Sequence, residues 1–542
     1  MTTPQSEIVN QKHPPEQREG SEVRMRRVLS FATITAIGFA LGKLSGVLRE
    51  IVVSASFGLS SDLDAYFIAY TVPTIINNVI AGGTITAAIM PTLAHYLAQN
   101  DREGFWRVLS VITNIVLLIT GGLTLLVMFL PSPVIALVGA GFPADTQTLA
   151  ANLLVIMMPT LALGALLTML LAALNALDRF VASASIFLAL NLGIIVTVLL
   201  LAPTLGVAAV AWGFLIGVAL QVAIQFIELR RERPQFFGRL DWRHPALAQV
   251  WRAFLPIAAL SILAQINYVI DKTMATMLPA GSVGALYYAD SILGLFYMLG
   301  ISLGIGVFPS LSRLAAENNL DGTARAVTTS LRLLIFILAP LTFLLIVFAV
   351  PTIGLILGRG KFDLTAVDLT AHALVMFAIG LLAVAALNVL QRTFYALSDS
   401  VTPFAVGTFT LLLHIGLNLI LMQSMAHAGI ALSASLSSIA GAITLTLLLA
   451  RRLPSIDFAG LGKFLLQSTI VALASTLAVA GLFAGLNLAG ESMSARIIGV
   501  AFAACGGAIY FGAALLLRMP ESRMLLDLGL GFVRRLKREG AP

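Results

Sequence analysis

Apolar residues run along this 542-residue chain in stretches longer than the helices of a soluble core require. Residues 108–144, 180–227, 273–289 and 333–358 contain no Asp, Glu, Lys or Arg. About 20 apolar residues suffice for one helix to cross a bilayer core, so the longest runs hold two helices each. The pattern divides into fourteen expected spans, near 30–50, 64–94, 107–130, 147–173, 180–202, 205–227, 252–278, 283–311, 328–350, 367–391, 402–422, 428–450, 461–485 and 495–517. A transmembrane β-barrel would instead show alternating segments of about ten residues. The expectation is an all-α polytopic membrane protein.

Composition agrees. Hydrophobic residues make up 58% of the chain and charged ones 11%, against about 25% charged in soluble domains. The single cysteine, Cys505, excludes an internal disulfide framework. Residues 1–29 are hydrophilic, with Pro14-Pro15, and read as a disordered tail ahead of a retained first helix.

Charge then orients the spans. With both termini cytoplasmic, the segments 1–29, 95–107, 174–179, 228–252, 312–332, 392–401, 451–463 and 518–542 collect most of the 33 Lys and Arg. The opposite loops hold Arg359 and Lys361, with Arg496 at an outer helix end. That asymmetry follows the positive-inside rule. It accounts for the net charge of +7 without a nucleic-acid partner. The terminal FVRRLKREG reads as a solvated basic tail, close to membrane lipid headgroups.

The chain also repeats itself. MPTLAHYLAQN (90–100) matches FPSLSRLAAEN (308–318) at an offset of 218, and Gly104 and Arg107 fall on Gly322 and Arg325. AYFIA (65–69) resembles ALYYA (285–289) at an offset of 220. Six spans separate the copies, so the repeat is parallel, an arrangement that transporters use. The expected organisation is a cytoplasmic tail (1–29), an N-lobe of six helices (30–227) and a cytoplasmic linker (228–251). A C-lobe of six helices (252–450), a further helix pair (461–517) and a basic tail (518–542) follow. The linker's Phe236, Phe237, Trp242 and Trp251 suit an interfacial position.

Against this apolar background, a few polar side chains call for explanation. A charge at the centre of a bilayer helix costs roughly 2.5–3.5 kcal/mol on insertion scales, so such groups face protein or a wet cavity. At 100° per residue, Asp64, Thr71 and Asn78 share one face of the second span, with Asn77 adjoining. Lys43 and Glu50 share a face of the first span, and Ser45 and Arg49 are i,i+4 neighbours. If the faces meet, Arg49 or Lys43 pairs with Asp64, either as a helix lock or as a cationic cavity wall. Farther on, Asp271, Lys272, His414 and Asn418 stand out. Asp271 with Asn418 is a candidate site for a monovalent coupling ion, and Asp271 with Lys272 a structural pair. The chain shows no P-loop and no His-Glu-x-x-His, and its six histidines are scattered. No catalytic or metal-ligating set emerges, and a transporter without a cofactor is expected.

The same residues carry a family resemblance. KLSGVLREIVVSASFGLSSDLDAYFIAYTVPTIINNVIAGG, GSVGALYYADSILGL, GRGKFD and FYALSDSVTP, in that order, resemble the MurJ/MviN lipid II flippases of the MOP superfamily. The resemblance implies transport of lipid II, an undecaprenyl-pyrophosphate-linked peptidoglycan precursor, across a bacterial cytoplasmic membrane; cell-wall synthases are candidate partners. It implies a headgroup site in which Arg49 and Lys43 bind the diphosphate, Asp64 orients them, and Asn77, Asn78 and Ser291 contact the headgroup. The match is partial: Asn77-Asn78 replace an arginine pair, Gly82 a glutamate and Ser291 an arginine. Other readings are a flippase for another lipid-linked oligosaccharide, a multidrug-type cation antiporter, and an inactive membrane scaffold.

Overall fold

The computed structural model describes residues 38, 41–81, 84–177, 179, 185–238, 241, 245–488, 490 and 492–527. The tail 1–29, Gly82-Gly83, Trp242 and the basic end beyond 527 lie outside the described residues. All regular structure among those described is helical. In order the helices are α1 (41–57), α2 (Ser61–Ala81), α3 (Thr84–Ala98), α4 (Arg102–Phe129), α5 (Pro131–Val138), α6 (Ala144–Met157) and α7 (Pro159–Ala176). Then come α8 (Ile186–Leu205), α9 (Ala208–Arg230), α10 (Pro245–Ala275), α11 (Ser282–Ala316), α12 (Leu320–Val347) and α13 (Ala349–Ile356). The chain continues through α14 (Leu364–Ile379), α15 (Leu381–Ala396), α16 (Val401–Met425), α17 (His427–Arg452), α18 (Phe458–Gly485), α19 (Met493–Leu516) and α20 (520–527).

Ten helical spans among the described residues are long and apolar enough to cross a bilayer, counting α6 with α7 as one. The pair α14 and α15, bent by 42° at Gly380, makes an eleventh. Of the fourteen expected spans, 30–50 is described only in part, 64–94 is divided between α2 and α3, and 252–278 falls in the 31-residue α10. Large apolar side chains stand outward: Leu200 is 70% exposed, Ile420 67% and Leu516 86%. Such a surface suits lipid rather than water.

The internal repeat is legible in the elements. Helices α4 and α12 are both 28 residues long, and α5 and α13 both 8. Each long helix starts from the same corner. Asn100 and Asn318 adopt φ of 57° and 53°, a left-handed conformation that asparagine tolerates. One residue later, Asp101 Oδ1 accepts the Gly104 N–H and Asn319 Oδ1 the Gly322 N–H, both at 2.8 Å. Each satisfies one of the orphan donors at a helix start.

By contacts, the chain forms two compact units. The first comprises the chain up to Arg49, Pro73–Phe129 and Ile156–Ile262. Its apolar core joins α3, α4, α7 and the end of α9 around Ile89, Phe105, Trp106, Leu109 and Leu174. Helix α8 lies tightly against α9 because glycines meet there: a Cβ on Gly193 would stand 2.6 Å from Gly217 Cα, the small-residue contact common in membrane helix pairs. The start of the linker is strapped to α4. Ser110 Oγ accepts the Phe237 N–H at 3.1 Å, and Asn114 Nδ2 donates to Phe237 O at 2.8 Å.

The second unit comprises Glu50–Val72, Leu130–Val155 and the chain from Leu263 onward. Here α11 packs on α14 and α15, α16 on α17, and α12 on α18. Helix α19 packs on α13 and α18. Arg332 ties α12 to α20 through Glu521 Oε1 at 2.6 Å while lying over the Phe464 ring of α18. Arg496, expected at a helix end, donates to the carbonyls of Gly354 and Gly358 at 3.0 and 2.7 Å. Those are carbonyls at the end of α13, where a cation is favoured.

Candidate functional site

Asp64 is buried, 2% exposed, near the start of α2. Its partner differs from the expected one. Rather than pairing with Lys43 or Arg49, its carboxylate accepts two backbone hydrogen bonds at the N-terminus of α11. Gly281 N donates to Oδ2 at 2.6 Å and Gly284 N to Oδ1 at 2.8 Å. A helix start leaves N–H groups without intrahelical partners and carries partial positive charge, so a carboxylate there is doubly favoured. Around this cap the aromatic rings close up. Phe67 stacks on Tyr287 at 4.0 Å and meets Tyr288 edge-on, and Tyr288 in turn meets Phe362 edge-on at 5.6 Å. Tyr287 Oη donates to Glu50 Oε1 at 3.2 Å.

The seam continues where α1 ends. Lys361 N donates to Ala55 O at 2.8 Å. Gly58 and Gly360 have φ of 63° and 59°, and a Cβ on either would fall 2.4 Å from a carbonyl oxygen of the facing segment. Only glycine meets both demands at these two positions. Within the second unit, α1, α2, α11 and the 358–362 loop thus form one packed end.

Arg49, half-buried at the end of the first unit's share of α1, is held from α8. Its Nη1 donates to Asn191 Oδ1 at 3.2 Å. The amide of Asn191 donates in turn to Ser45 Oγ at 2.9 Å and Gly42 O at 3.2 Å. Asn191 is 4% exposed and belongs to no motif singled out in the sequence. Its signal is a lone amide in the otherwise apolar FLALNLGII. Lys43 is exposed on α1. Asn77 attaches to α7 instead, donating to Thr160 O at 3.4 Å beside Gly164, whose missing Cβ leaves it room. Asn78 is exposed and Ser291 half-buried on α11. The predicted headgroup residues are therefore fixed to several different helices, with Arg49 the best braced.

The two residues of the candidate ion site, Asp271 and Asn418, meet each other and His414. Asp271 Oδ1 lies 2.6 Å from His414 Nε2 and accepts from Asn418 Nδ2 at 2.9 Å. Ser433 Oγ donates to Asn418 Oδ1 and lies 3.3 Å from His414 Nδ1. His414, Asn418 and Ser433 are buried. Asp271 and Lys272 are not in direct ionic contact. Among the described residues Lys272 makes no ion pair within 4 Å, and its Nζ sits over the rings of Tyr268 and Tyr287 at 5.4 and 5.5 Å. Asp271, Lys272, Tyr268, Asp290 and Tyr297 line a cavity of about 240 Å³ with Ser435 and Ser438.

Long apolar spans, an internal repeat and polar side chains buried between helices define a multi-pass membrane protein of transporter architecture. The chain belongs to the family described as lipid II flippase MurJ, whose model matches residues 53–495. A lipid II flippase MurJ of Burkholderia cenocepacia is 27% identical over 431 residues, 78% of this chain and 84% of its own. Among solved structures, a lipid II flippase MurJ in an inward closed conformation superposes with a TM-score of 0.74. It covers 90% of this chain and 99% of its own at 23% identity. An inward-facing MATE family multidrug resistance transporter of the MOP superfamily gives 0.62 at 14% identity, covering 77% and 95%. At those identities the two structures show a shared fold.

Proposed function

We propose that this protein is a flippase that carries lipid II from the cytoplasmic to the outer leaflet by alternating access. The family match across 53–495 carries the reading. In this scheme both termini lie on the cytoplasmic side of the bacterial inner membrane, and synthases that use lipid II are the partners. The lobes 30–227 and 252–450 are the alternating halves, and the pair 461–517 an addition to the second. The packed end built on Asp64, Gly281 and the 358–362 loop is then the outer end.

A diphosphate cannot cross hydrocarbon alone, and a guanidinium offers fork-shaped donors matched to its oxygens. Arg49, steadied by Asn191, is the principal diphosphate ligand, Lys43 the second cation, and Asn77, Asn78 and Ser291 neutral headgroup contacts. Asp64 serves the cycle from the α11 N-terminus. The neutral residues at 77, 78 and 291, where the family has arginines, support a second reading: another polyprenyl-pyrophosphate-linked glycan as cargo.

The test is outer-leaflet lipid II in a bacterium whose own lipid II flippase has been shut off. Restored exposure, lost again in Arg49→Ala, is the expected result. An inserted protein that restores nothing refutes lipid II as cargo and leaves the second reading to be tried with other lipid-linked glycans.

A further inference from the structure

We propose that the Asp271–His414 pair is a proton site through which transport is coupled to the transmembrane proton gradient, an inference that rests on the flippase reading. Three observations carry it. First, the donor set suits a proton better than a metal cation. The Asn418 amide turns its nitrogen to Asp271, because the reverse orientation would set two oxygens 2.9 Å apart. His414 Nε2 meets the same carboxylate oxygen at 2.6 Å. The oxygen cage that a monovalent cation needs is thus replaced by hydrogen-bond donors.

Second, the site offers a partner to an added proton. With His414 neutral, Nε2–H donates to Asp271, and the one Ser433 hydroxyl proton is shared between Nδ1 and Asn418 Oδ1. With a proton added at Nδ1, that N–H donates to Ser433 Oγ, while the Ser433 O–H turns to Asn418 Oδ1 or Ile430 O. A hydroxyl is both donor and acceptor, so the switch needs only its rotation. The proton belongs to the pair, on the carboxylate or on Nδ1, and its uptake takes the pair from net −1 to neutral.

Third, the pair borders a cavity. The His414 side chain is 5% exposed and that of Asp271 25%, and Asp271 lines the cavity of about 240 Å³. The groups facing the pair are known on each packed element. They are Tyr268 and Lys272 on α10, Asp290 and Tyr297 on α11, the hydroxyls of Ser433, Ser435 and Ser438 on α17, and apolar Phe377 and Val384 on α14 and α15. Lys272 and Asp290 line the same cavity as Asp271, so a proton arriving at or leaving the pair changes the charge of a wall that all three share. Intramembrane chains of Asp and His serve as proton relays in other pumps and transporters.

The test uses full-length protein in liposomes with fluorescent lipid II, the membrane potential clamped by potassium and valinomycin. Flipping is followed with no gradient, with a pH step of one unit, and with a sodium step. The pH step is expected to change the wild-type rate several-fold, and His414→Gln and Asp271→Asn to abolish that response. In parallel, solid-state NMR of ¹⁵N-histidine-labelled protein in liposomes reads the His414 ring, assigned by its loss in His414→Gln. Its signal should respond to pH, and that response should be displaced in Asp271→Asn. Wild-type flipping indifferent to the pH step, a response to sodium alone, or a His414 ring that never titrates overturns the proton site. If the wild type flips under no condition, the flippase reading falls, and the His414 titration alone decides whether the pair binds a proton.

Discussion

Replacing Asp64 with alanine should open the packed end of the second unit. The carboxylate takes two backbone N–H groups of the α11 start, at 2.6 and 2.8 Å, while 2% exposed. Loss of a helix N-cap costs about 0.5–2 kcal/mol, and a charge at a partly buried helix end contributes up to about 2 kcal/mol. Each buried donor left unpaired adds roughly 1–3 kcal/mol. Against these stands the desolvation of the carboxylate itself, which alanine relieves. A net cost of about 2–3 kcal/mol falls on the closed form alone, because an opened end hydrates the same groups. At tenfold per 1.4 kcal/mol, closed-to-open occupancy drops roughly 30- to 150-fold. The assay is alkylation of a Leu59→Cys reporter by a membrane-impermeant maleimide from outside, with Cys505, the one exposed cysteine, changed to serine. Leu59 packs against Gly281 and Gly284, so it reports on the seam directly. Labelling should accelerate strongly in Asp64→Ala and less in Asp64→Asn, which keeps one acceptor. Unchanged labelling in an inserted, folded Asp64→Ala protein would refute the cap as the device that holds this end shut.

Further outcomes are expected elsewhere. Asn191→Ala removes the brace on Arg49 and the bonds to Ser45 and Gly42, and should slow flipping at least tenfold without preventing insertion, measured with the same lipid II exposure assay. Gly360→Ala forces a side chain into a left-handed φ of 59° and against Ala55 O; a loss of about 1–3 kcal/mol, read as a lower thermal midpoint, is expected, whereas Gly462→Ala, in open space, should change little. Arg332→Ala leaves Glu521 without its guanidinium and should cost about 1–3 kcal/mol, with faster proteolysis near 520–527. Asp399, in the turn before α16, accepts the Thr402 N–H and Oγ1–H at 3.0 and 2.8 Å and faces Arg452. Those bonds hold its carboxyl below the usual carboxylate range. A lowered folded value means the contribution is full above the unfolded value and fades as pH falls through the folded one. Acid titration of thermal stability should therefore show a step that Asp399→Asn lacks.

How much the sequence disclosed depended on range. The repeat was readable because it lies in local signals, the MPTLAHYLAQN and FPSLSRLAAEN runs and the glycines at 104 and 322, and the helices α4 and α12 keep its offset at both ends. The face shared by Asp64, Thr71 and Asn78 was also readable, since helical periodicity fixes angles about one axis. What that face meets was not. Periodicity carries no information about the partner, and Asp64's partner is backbone, which has no residue-type signature. Asn191 escaped for the opposite reason: one amide in an apolar helix is too common to mark a site until Arg49 is seen on it. Asp271 and Asn418 stand out in the sequence as ligands for an ion, whereas their direct hydrogen bond, the amide's orientation and the His414 contact arise only from the packing of α10, α16 and α17.

The twin corners at Asn100–Gly104 and Asn318–Gly322 bear on biosynthesis. Each is closed by residues within four positions of one another, so it is complete as soon as that short segment leaves the ribosome. Contacts this local carry little loop-closure cost and form early. Each half of the chain can therefore start its 28-residue helix before anything downstream has been translated, and membrane insertion of the first copy need not wait for the second.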